Sequence, residues 1–506
     1  MTLADAHAQL ADRDAQLAAR DVQLSERNGQ LTERAREIDT LKTELSTQAA
    51  MIKQLREQVA KLSELLGQHS GNSHLPPSSD APGKRNNPDK GNKDRRRSHK
   101  PKRKRGGQKG HRGAHRELLP EEQVGRFVDF FPEQCEHCAA ALPRRANCCS
   151  PKRYQIIELP EFKPDVTEYR RYAVDCESCG RETLAEYDAE KIPQTAFGPR
   201  LMSTLATLTG VYHISRRRTV ALLSDFLGVR ISLGAVSTVE ARVSEALKPA
   251  YDEAWAEVQK GEVKYTDGTT WLQASSLLTL WTIATAVATV FKVLANGTKK
   301  TLEPLYGAQY GILVSDRASS LNFWAMERRQ ICWAHVLRKF ISFSERDGPA
   351  GGMGKQLLDY TGIMFEYWHQ YKDGKLSRAR FVEYMAILGP QVETLLERVV
   401  AKDIPRMSGS CANLLQHRSA LWTFVHHDGV EPTNNHAERE LQGFVLWRRR
   451  SFGTQSERGN VFAQRIMTVA HTAKKQGKNV FGFIRACCEA KNAGTTMPAL
   501  IETKAS

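Results

Sequence analysis

Residues 261–316 read GEVKYTDGTTWLQASSLLTLWTIATAVATVFKVLANGTKKTLEPLYGAQYGILVSD. The β-branched segment EVKYTD predicts a strand that ends at Asp267, and residues 277–295 predict two further strands. TKKTLEPLYG then predicts a helix, and YGILVSD predicts a strand that ends at Asp316. The segment therefore predicts a mixed sheet with one acidic residue after its first strand and another after its fourth.

The next segments extend this pattern. RASSLNFWAMERR is expected to be helical, and QICWAHVLRKF to supply a short strand and a helix. The resulting order, β-β-β-α-β-α-β, is that of a ribonuclease H-like α/β domain, in which the first and fourth strands are adjacent. Asp267 and Asp316 would then converge. Converging carboxylates repel one another unless a divalent cation neutralises them, and a Mg²⁺ pair held in this way can attack phosphodiesters. An isolated aspartate at a strand end is also a common turn residue, so the pattern alone leaves both interpretations open.

A third carboxylate lies much further along the chain, because 121 residues separate Asp316 from Glu438. One crossover needs far fewer residues, so residues 345–425 predict an inserted helical subdomain. In TNNHAERELQGFVLWRRRS, Glu438 and Glu440 flank the apolar helix stripe about equally. A structural ion pair of Glu438 with Arg439 or Arg448 is the alternative to a metal site.

The N-terminus repeats an apolar residue at an unbroken seven-residue spacing. The positions are Leu3, Leu10, Leu17, Leu24, Leu31, Ile38, Leu45, Ile52, Val59 and Leu66. This pattern predicts a coiled coil over residues 1–66, which would make the chain a homo-oligomer, with the stronger zipper in its second half. The alternative is a lone amphipathic helix folded onto the body.

The charge is strongly basic, with a formal net charge of +16. Residues 84–112 alone hold 14 Lys and Arg against two Asp, within a Pro-, Gly- and Ser-rich stretch, residues 67–116. We expect a disordered linker that binds DNA phosphates, for example through Lys102, Arg103, Lys104 and Arg105. A solvated tail without a partner is the alternative.

Ten cysteines include two CxxC pairs, Cys135/Cys138 and Cys176/Cys179. The strand-like segments YQIIELPEF and TEYRRYAVDC lie between them, so the spacing predicts a structural Zn²⁺ site made of these four thiolates. Cys148 and Cys149 could compete as ligands. The other cysteines, Cys332, Cys411, Cys487 and Cys488, are expected to be core thiols. His335, in CWAH, is either a packed histidine at a strand end or a residue that supports the site or contacts DNA.

Residues 199–247 predict three helices, with Gly228 ending the second and Ser232 capping the third. This spacing fits a helix-turn-helix that offers Ser237, Thr238 and Glu240 to a DNA groove. Three packed helices without a DNA role are the alternative.

No membrane role is expected. Residues 268–291 are uncharged, but their Thr-rich β-branched pattern favours paired strands over a membrane span. The N-terminal residues lack the apolar region of a signal peptide, so a cytoplasmic location is expected.

TDGTTW, LVSDRA, ICWAHVLRKF and TNNHAERELQ resemble motifs of the bacterial insertion sequence 66 transposases, a family of the DDE class. The resemblance covers nearly the whole chain. It implies Asp267, Asp316 and Glu438 as the catalytic triad, two Mg²⁺ ions for which Mn²⁺ can substitute, and cleavage and joining of double-stranded DNA at element ends. It also implies that small accessory proteins of the same element can be required. Gly268 and Thr433 depart from the family, which usually has Glu and Asp at these positions.

The sequence thus predicts a multidomain α+β protein. Its parts are a coiled coil (1–66), a basic linker (67–116), a zinc-binding β module (117–195), a helix-turn-helix (196–250), a catalytic core in two parts (251–344 and 426–490), a helical insertion (345–425) and a tail (491–506). We expect Arg448, Arg449 and Arg450 to bind DNA beside the triad. The competing functions are a DNA-binding protein that has lost catalysis and a ribonuclease H-like nuclease.

Overall fold

A computed structural model describes residues 3–66, 68, 72, 116–145, 151–188 and 195–502. These residues fall into two compact units. The first takes the described residues within Met1–Asn86, Lys248–Phe483 and Pro498–Ser506, and the second takes those within Asn87–Leu247 and Ile484–Met497.

The N-terminal repeat forms one helix, α1 (Leu3–Leu66), whose 64 residues span about 96 Å. The heptad side chains from Leu17 to Val59 are exposed along it, as are Leu41, Leu55 and Leu62. An exposed apolar seam of this length is what a coiled-coil helix presents to its partner.

The second unit has little regular structure before residue 199. A two-stranded antiparallel hairpin joins β1 (Ala173–Asp175) to β2 (Glu182–Leu184). The predicted strand YQIIELPEF is not formed, and none of the segments that the structure describes pairs with residues 154–162. Three helices follow: α2 (Pro199–Ala206), which continues as a π-helical turn to Val211, α3 (Arg216–Leu227) and the long α4 (Leu233–Lys260).

The cap residues of these helices are those expected from the sequence. Gly228 ends α3 with φ +64°, and the Ser232 hydroxyl accepts the Ala235 N–H at the start of α4.

The first unit contains a five-stranded mixed sheet. Its strands are β3 (Val263–Gln273), β4 (Ser276–Ala284), β5 (Thr289–Leu294), β6 (Ile312–Ser315) and β7 (Arg329–Ile331), in the spatial order β5-β4-β3-β6-β7. The first three strands are antiparallel, and β6 and β7 are parallel to β3 and β6 respectively. A short helix, α5 (Lys299–Leu302), continues into a 3₁₀ turn before β6.

Two expectations for this sheet were wrong. β3 does not end at Asp267 but continues to Gln273, because Thr269–Leu272 pair with Leu277–Leu280 in a tight hairpin. RASSLNFWAMERR is not a helix: it forms two single 3₁₀ turns, Ser319–Leu321 and Met326–Arg328. Leu321 and Trp324 are buried there three positions apart, a spacing that suits a 3₁₀ turn rather than a longer α-helix.

The remaining elements along the described chain are helical, and the last of them passes from the first unit into the second after Phe483. They are α6 (Trp333–Ser344), α7 (Pro349–Lys372), α8 (Arg378–Ala401), α9 (Ser408–Gln416), α10 (Arg418–Leu421), α11 (Thr423–His426), α12 (Asn435–Ser451), α13 (Glu457–Lys475) and α14 (Val480–Ala493). Side chains of β3, β6, β7 and α6–α11 form one continuous apolar core.

The exposed edge of β5 is covered by side chains of α13. Thr472, Thr468 and Gln464 accept the backbone N–H groups of Thr289, Phe291 and Val293 at 3.1, 3.1 and 3.2 Å. Four helix residues rise about 6.0 Å and two strand residues about 6.8 Å, so the two periods nearly match. The edge strand therefore has its hydrogen bonds satisfied without a sixth strand.

No helix among the described residues is both long and apolar enough to span a membrane, and residues 268–291 lie in β3, β4 and β5 and their connections.

Candidate active site

Two aspartates are brought together by the parallel pairing of β3 with β6. Tyr265 lies opposite Val314 in this pair, and continuing the register by two residues places Asp267 opposite Asp316. Asp267 Oδ1 accepts the Gly268 N–H at 2.8 Å, and Asp316 Oδ1 accepts the Ala318 N–H at 2.9 Å. Both carboxylates are thus held at one level of the sheet.

Asn434 fixes the start of α12 beside Asp267. Its side-chain amide donates to the Thr266 carbonyl at 2.8 Å, and its backbone N–H donates to Cys332 Sγ at 3.1 Å. The Trp333 N–H donates to the Pro432 carbonyl at 2.8 Å. These bonds join the residues before α12 to β3 and to the start of α6, and Glu438 lies in the first turn of α12 that follows.

The pKa of Asp267 is affected by burial and by the charges of two other carboxylates. Burial raises the pKa of Asp267 to about 7, and the negative charges of Asp316 and then Glu438 add to this effect. The Gly268 N–H and Arg338 oppose it only in part. A carboxyl group whose pKa is raised by other carboxylates marks a place where a cation would be stabilised.

Arg329 organises the loop that follows Asp316. Its buried guanidinium donates to Ser315 Oγ at 3.2 Å and to the carbonyls of Asp316 and Ala318 at 2.9 and 3.1 Å. A further bond to Asn322 Oδ1 measures 2.8 Å. Sequence reasoning missed this residue, because a single arginine at the start of a short strand carries no pattern.

Glu438 has weak partners of its own. Its Oε1 lies 3.8 Å from His335 Nδ1, its Oε2 lies 3.8 Å from Arg338, and the buried Oε1 accepts no hydrogen bond among the described residues. Cys332, His335 and Glu438 place one ligand atom each within 4.8 Å of the others. Burial raises the pKa of Cys332 to about 11, so its thiol stays protonated at neutral pH.

Glu440 belongs to a different cluster, on the side of α12 that faces α13. It pairs with His471, with Lys475 at 3.1 Å and with His436 at 3.6 Å. Burial alone would raise the pKa of Glu440, but the hydrogen bond from His471 and the charge of Lys475 outweigh it and lower this pKa to about 2. Lys475 also donates to the Thr285 carbonyl at 2.6 Å, so the cluster ties α12 and α13 to the β4–β5 turn.

The three arginines at the end of α12 have different surroundings. Arg448 donates to Thr269 Oγ1 at 3.2 Å and to the carbonyl and hydroxyl of Thr270, so it joins α12 to β3. Arg449 and Arg450 are exposed. Phosphate binding therefore suits the last two better than Arg448.

Gly268 fits this chain because of Trp281, its cross-strand partner. A Cβ at position 268 would lie 2.7 Å from the Trp281 indole, too close for any side chain unless the ring moved. Gly268 stands where the family that the sequence resembles usually has Glu, and the Trp281 ring fills the space that a side chain at position 268 would need.

The helix-turn-helix candidates also differ from one another. Thr238 is exposed and its hydroxyl bonds back to the Gly234 carbonyl at 3.3 Å, while Ser237 is half-buried. Glu240 is buried and pairs with Arg216 at 2.9 Å, so the expectation that it faces a groove was wrong.

The two CxxC segments form matching turns. The N–H of residue 139 bonds to the Cys135 carbonyl, the N–H of residue 180 bonds to the Cys176 carbonyl, and both residues have a positive φ. Hydrogen bonds from backbone N–H groups lower the pKa of both thiols. The largest effect comes from the His137 N–H for Cys135 and from the Cys179 N–H for Cys176. Among the described residues, however, no three of the four sulfurs lie within 4.8 Å of one another. Cys148, Cys149 and the basic residues 102–105 lie outside the described residues.

Comparison with known protein families gives two matches. A family described as Transposase IS66 family matches residues 194–461, more than half of the 506 residues. A family of unknown function (DUF6444) matches residues 25–117. No curated protein matches the chain.

Proposed function

The chain belongs to the IS66 family of transposases, and on this basis we propose that it is a DDE-type enzyme that cleaves and joins DNA at element ends. Its catalytic residues are Asp267, Asp316 and Glu438. The observation that carries this proposal is the parallel register of β3 and β6, which places Asp267 opposite Asp316. Burial and the charges of Asp316 and Glu438, which raise the pKa of Asp267, support it. The sheet order β5-β4-β3-β6-β7 supports a ribonuclease H-like domain.

The donor set suits Mg²⁺. All three side chains offer carboxylate oxygens, which are the ligands that Mg²⁺ and Mn²⁺ prefer. The buried Glu438 Oε1 accepts no hydrogen bond from the part of the chain that the structure describes, so this oxygen can accept a metal ion. When bound, two such ions would activate the attacking water or 3′-hydroxyl and neutralise the leaving oxygen.

The protein residues supply the positioning. Arg329 and the Ala318 N–H hold Asp316, and Asn434 holds the first turn of α12 against the strand that carries Asp267. Arg449 and Arg450 would bind the DNA backbone at the other end of α12, where cations also complement the helix dipole.

DNA binding outside the catalytic domain follows from the other parts. We propose that the exposed seam of α1 pairs two copies, that the three helices α2–α4 contact the element end through Thr238 and Ser237, and that residues 84–112 add salt-dependent affinity. Structural Zn²⁺ at Cys135, Cys138, Cys176 and Cys179 remains a prediction. Each CxxC turn is formed, but among the described residues no three of these sulfurs lie within 4.8 Å of one another.

The test is a cleavage assay with the full chain, MgCl₂ and labelled DNA that carries the element ends. Asp316→Asn should lower strand cleavage by several orders of magnitude and leave binding to the ends unchanged. Glu327→Gln, which alters an exposed carboxylate of the same unit, is the matched control and should cleave normally. Wild-type protein that binds the ends but never cleaves would favour a DNA-binding protein that has lost catalysis.

A further inference from the structure

The exposed side of α12 forms one continuous stripe. Its exposed residues recur at steps of four and three, the spacing of a single helix face. They are Asn435, Arg439, Gln442, Leu446 and Arg449, with Phe452 following directly after the helix. The stripe starts in the turn that carries Glu438 and ends at an aromatic ring.

Phe452 combines an exposed side chain with an unusual backbone conformation. Its side chain is 72% exposed, and its backbone has a φ of +58°, a region that aromatic residues rarely adopt. Strained residues of this kind persist where the surrounding structure holds them and cluster at binding sites.

The backbone around Phe452 is anchored on both sides. The Phe452 N–H donates to the Arg448 carbonyl at 2.8 Å, and the Thr454 N–H donates to the Leu272 carbonyl at 2.9 Å. A Cβ at Gly453 would lie 2.1 Å from the Leu272 oxygen, so the chain packs directly on the end of β3 at this point. The exposed ring is therefore mounted on a rigid backbone.

The neighbours of Phe452 indicate what it binds. Arg449 and Arg450 lie within the preceding turn, and the rest of the stripe is polar or basic except for Leu446. A protein interface would require a larger apolar centre. An isolated aromatic ring beside arginines is instead the arrangement with which proteins bind single-stranded nucleic acid, because the ring stacks on a base and the arginines bind phosphates.

We propose that Phe452 stacks on an unpaired base of the DNA strand whose phosphates contact Arg449 and Arg450. This inference rests on the proposed function, because it places the same DNA along α12. Fourteen helix positions separate Glu438 from Phe452, about 21 Å. The stacked base would lie roughly six nucleotides from the cleaved phosphate, at about 3.4 Å per nucleotide. Phe452 would thus hold open the DNA beside the site of cleavage.

The experiment compares the affinity of the full chain for a paired duplex and for the same duplex with an unpaired tail, in EDTA so that no cleavage occurs. Stacking on one base corresponds to roughly a tenfold preference for the tailed DNA. Phe452→Ala should abolish this preference without changing affinity for the paired duplex, and Phe452→Tyr should keep it. Ile387→Ala, which removes an exposed apolar side chain of α8 outside the stripe, is the control and should bind like wild type.

Phe452→Gly separates binding from folding. Glycine adopts a positive φ without strain, so this variant should fold at least as stably as wild type and still lose the preference. The inference is overturned if Phe452→Ala and Phe452→Gly retain the preference for tailed DNA. If wild-type protein binds neither DNA, the proposed function fails as well, so the two failures can be told apart.

Discussion

Glu438 and Glu440 lie two residues apart on α12, and the structure predicts opposite consequences for the same Glu→Gln change. Glu440→Gln should destabilise the fold, because it removes the negative charge of a largely buried cluster formed with His436, His471 and Lys475. Glu438→Gln should leave stability unchanged or higher, because the Glu438 charge repels Asp267.

The magnitude for Glu440 follows from its pKa. A pKa lowered from 4.5 to about 2 corresponds to about 3 kcal/mol of unfolding free energy. Breaking a buried ion pair costs roughly 3–5 kcal/mol, which agrees. Because the folded-state pKa is lowered, this stability is fully present above about pH 4.5 and is lost as the pH falls towards 2.

Urea unfolding followed by tryptophan fluorescence at pH 7 and pH 3 measures the effect. Glu440→Gln should unfold at lower urea than wild type at pH 7, and the difference should shrink at pH 3. Folded Glu440→Gln should still cleave DNA, whereas Glu438→Gln should not. The reasoning is refuted if Glu440→Gln is as stable as wild type at pH 7, or if Glu440→Gln alone abolishes cleavage in folded protein.

Four further outcomes are expected. Asp267→Asn, without divalent cations, should raise the unfolding free energy at pH 8 by up to about 4 kcal/mol. The reason is that folding raises the pKa of Asp267 from 3.8 to about 7, so ionisation of this group destabilises the fold as the pH rises through those values. Denaturation at pH 3 should show no increase in the unfolding free energy of the variant. Asn434→Ala leaves the Thr266 carbonyl without its donor and should lower stability by about 1–3 kcal/mol and weaken Mg²⁺ binding in calorimetry. Deleting residues 1–66 should convert an oligomer to a monomer in light scattering, and an unchanged mass would contradict the zipper. Cys138→Ser should release one equivalent of zinc in elemental analysis, and natively purified wild-type protein without zinc would contradict the four-cysteine site.

Local sequence determined much of the fold. The heptads predicted α1, the β-branched runs predicted β4 and β5, and the insertion between Asp316 and Glu438 is helical as its amphipathic pattern indicated. These features depend on propensities and periodicities within single segments, which the chain carries wherever it folds.

Features that depend on neighbouring segments were not predictable in the same way. The extension of β3 beyond Asp267 required its partner β4. The loop after Asp316 depends on the buried Arg329, which donates hydrogen bonds to the carbonyls of Asp316 and Ala318. The bonds of Arg448 to Thr269 and Thr270 were not predicted either, because a helix pattern does not reveal which strand lies beside it.

The sequence by itself determined that α12 is a helix with carboxylates at its start and arginines at its end. Only the tertiary structure decided which carboxylate goes where. Glu438 and Glu440 flank the apolar stripe symmetrically, so their environments differ only once α12 is packed, with β3 and Asp267 on one side and α13 with Lys475 on the other. Charges interact through space rather than along the chain, so the role of each residue is fixed by packing.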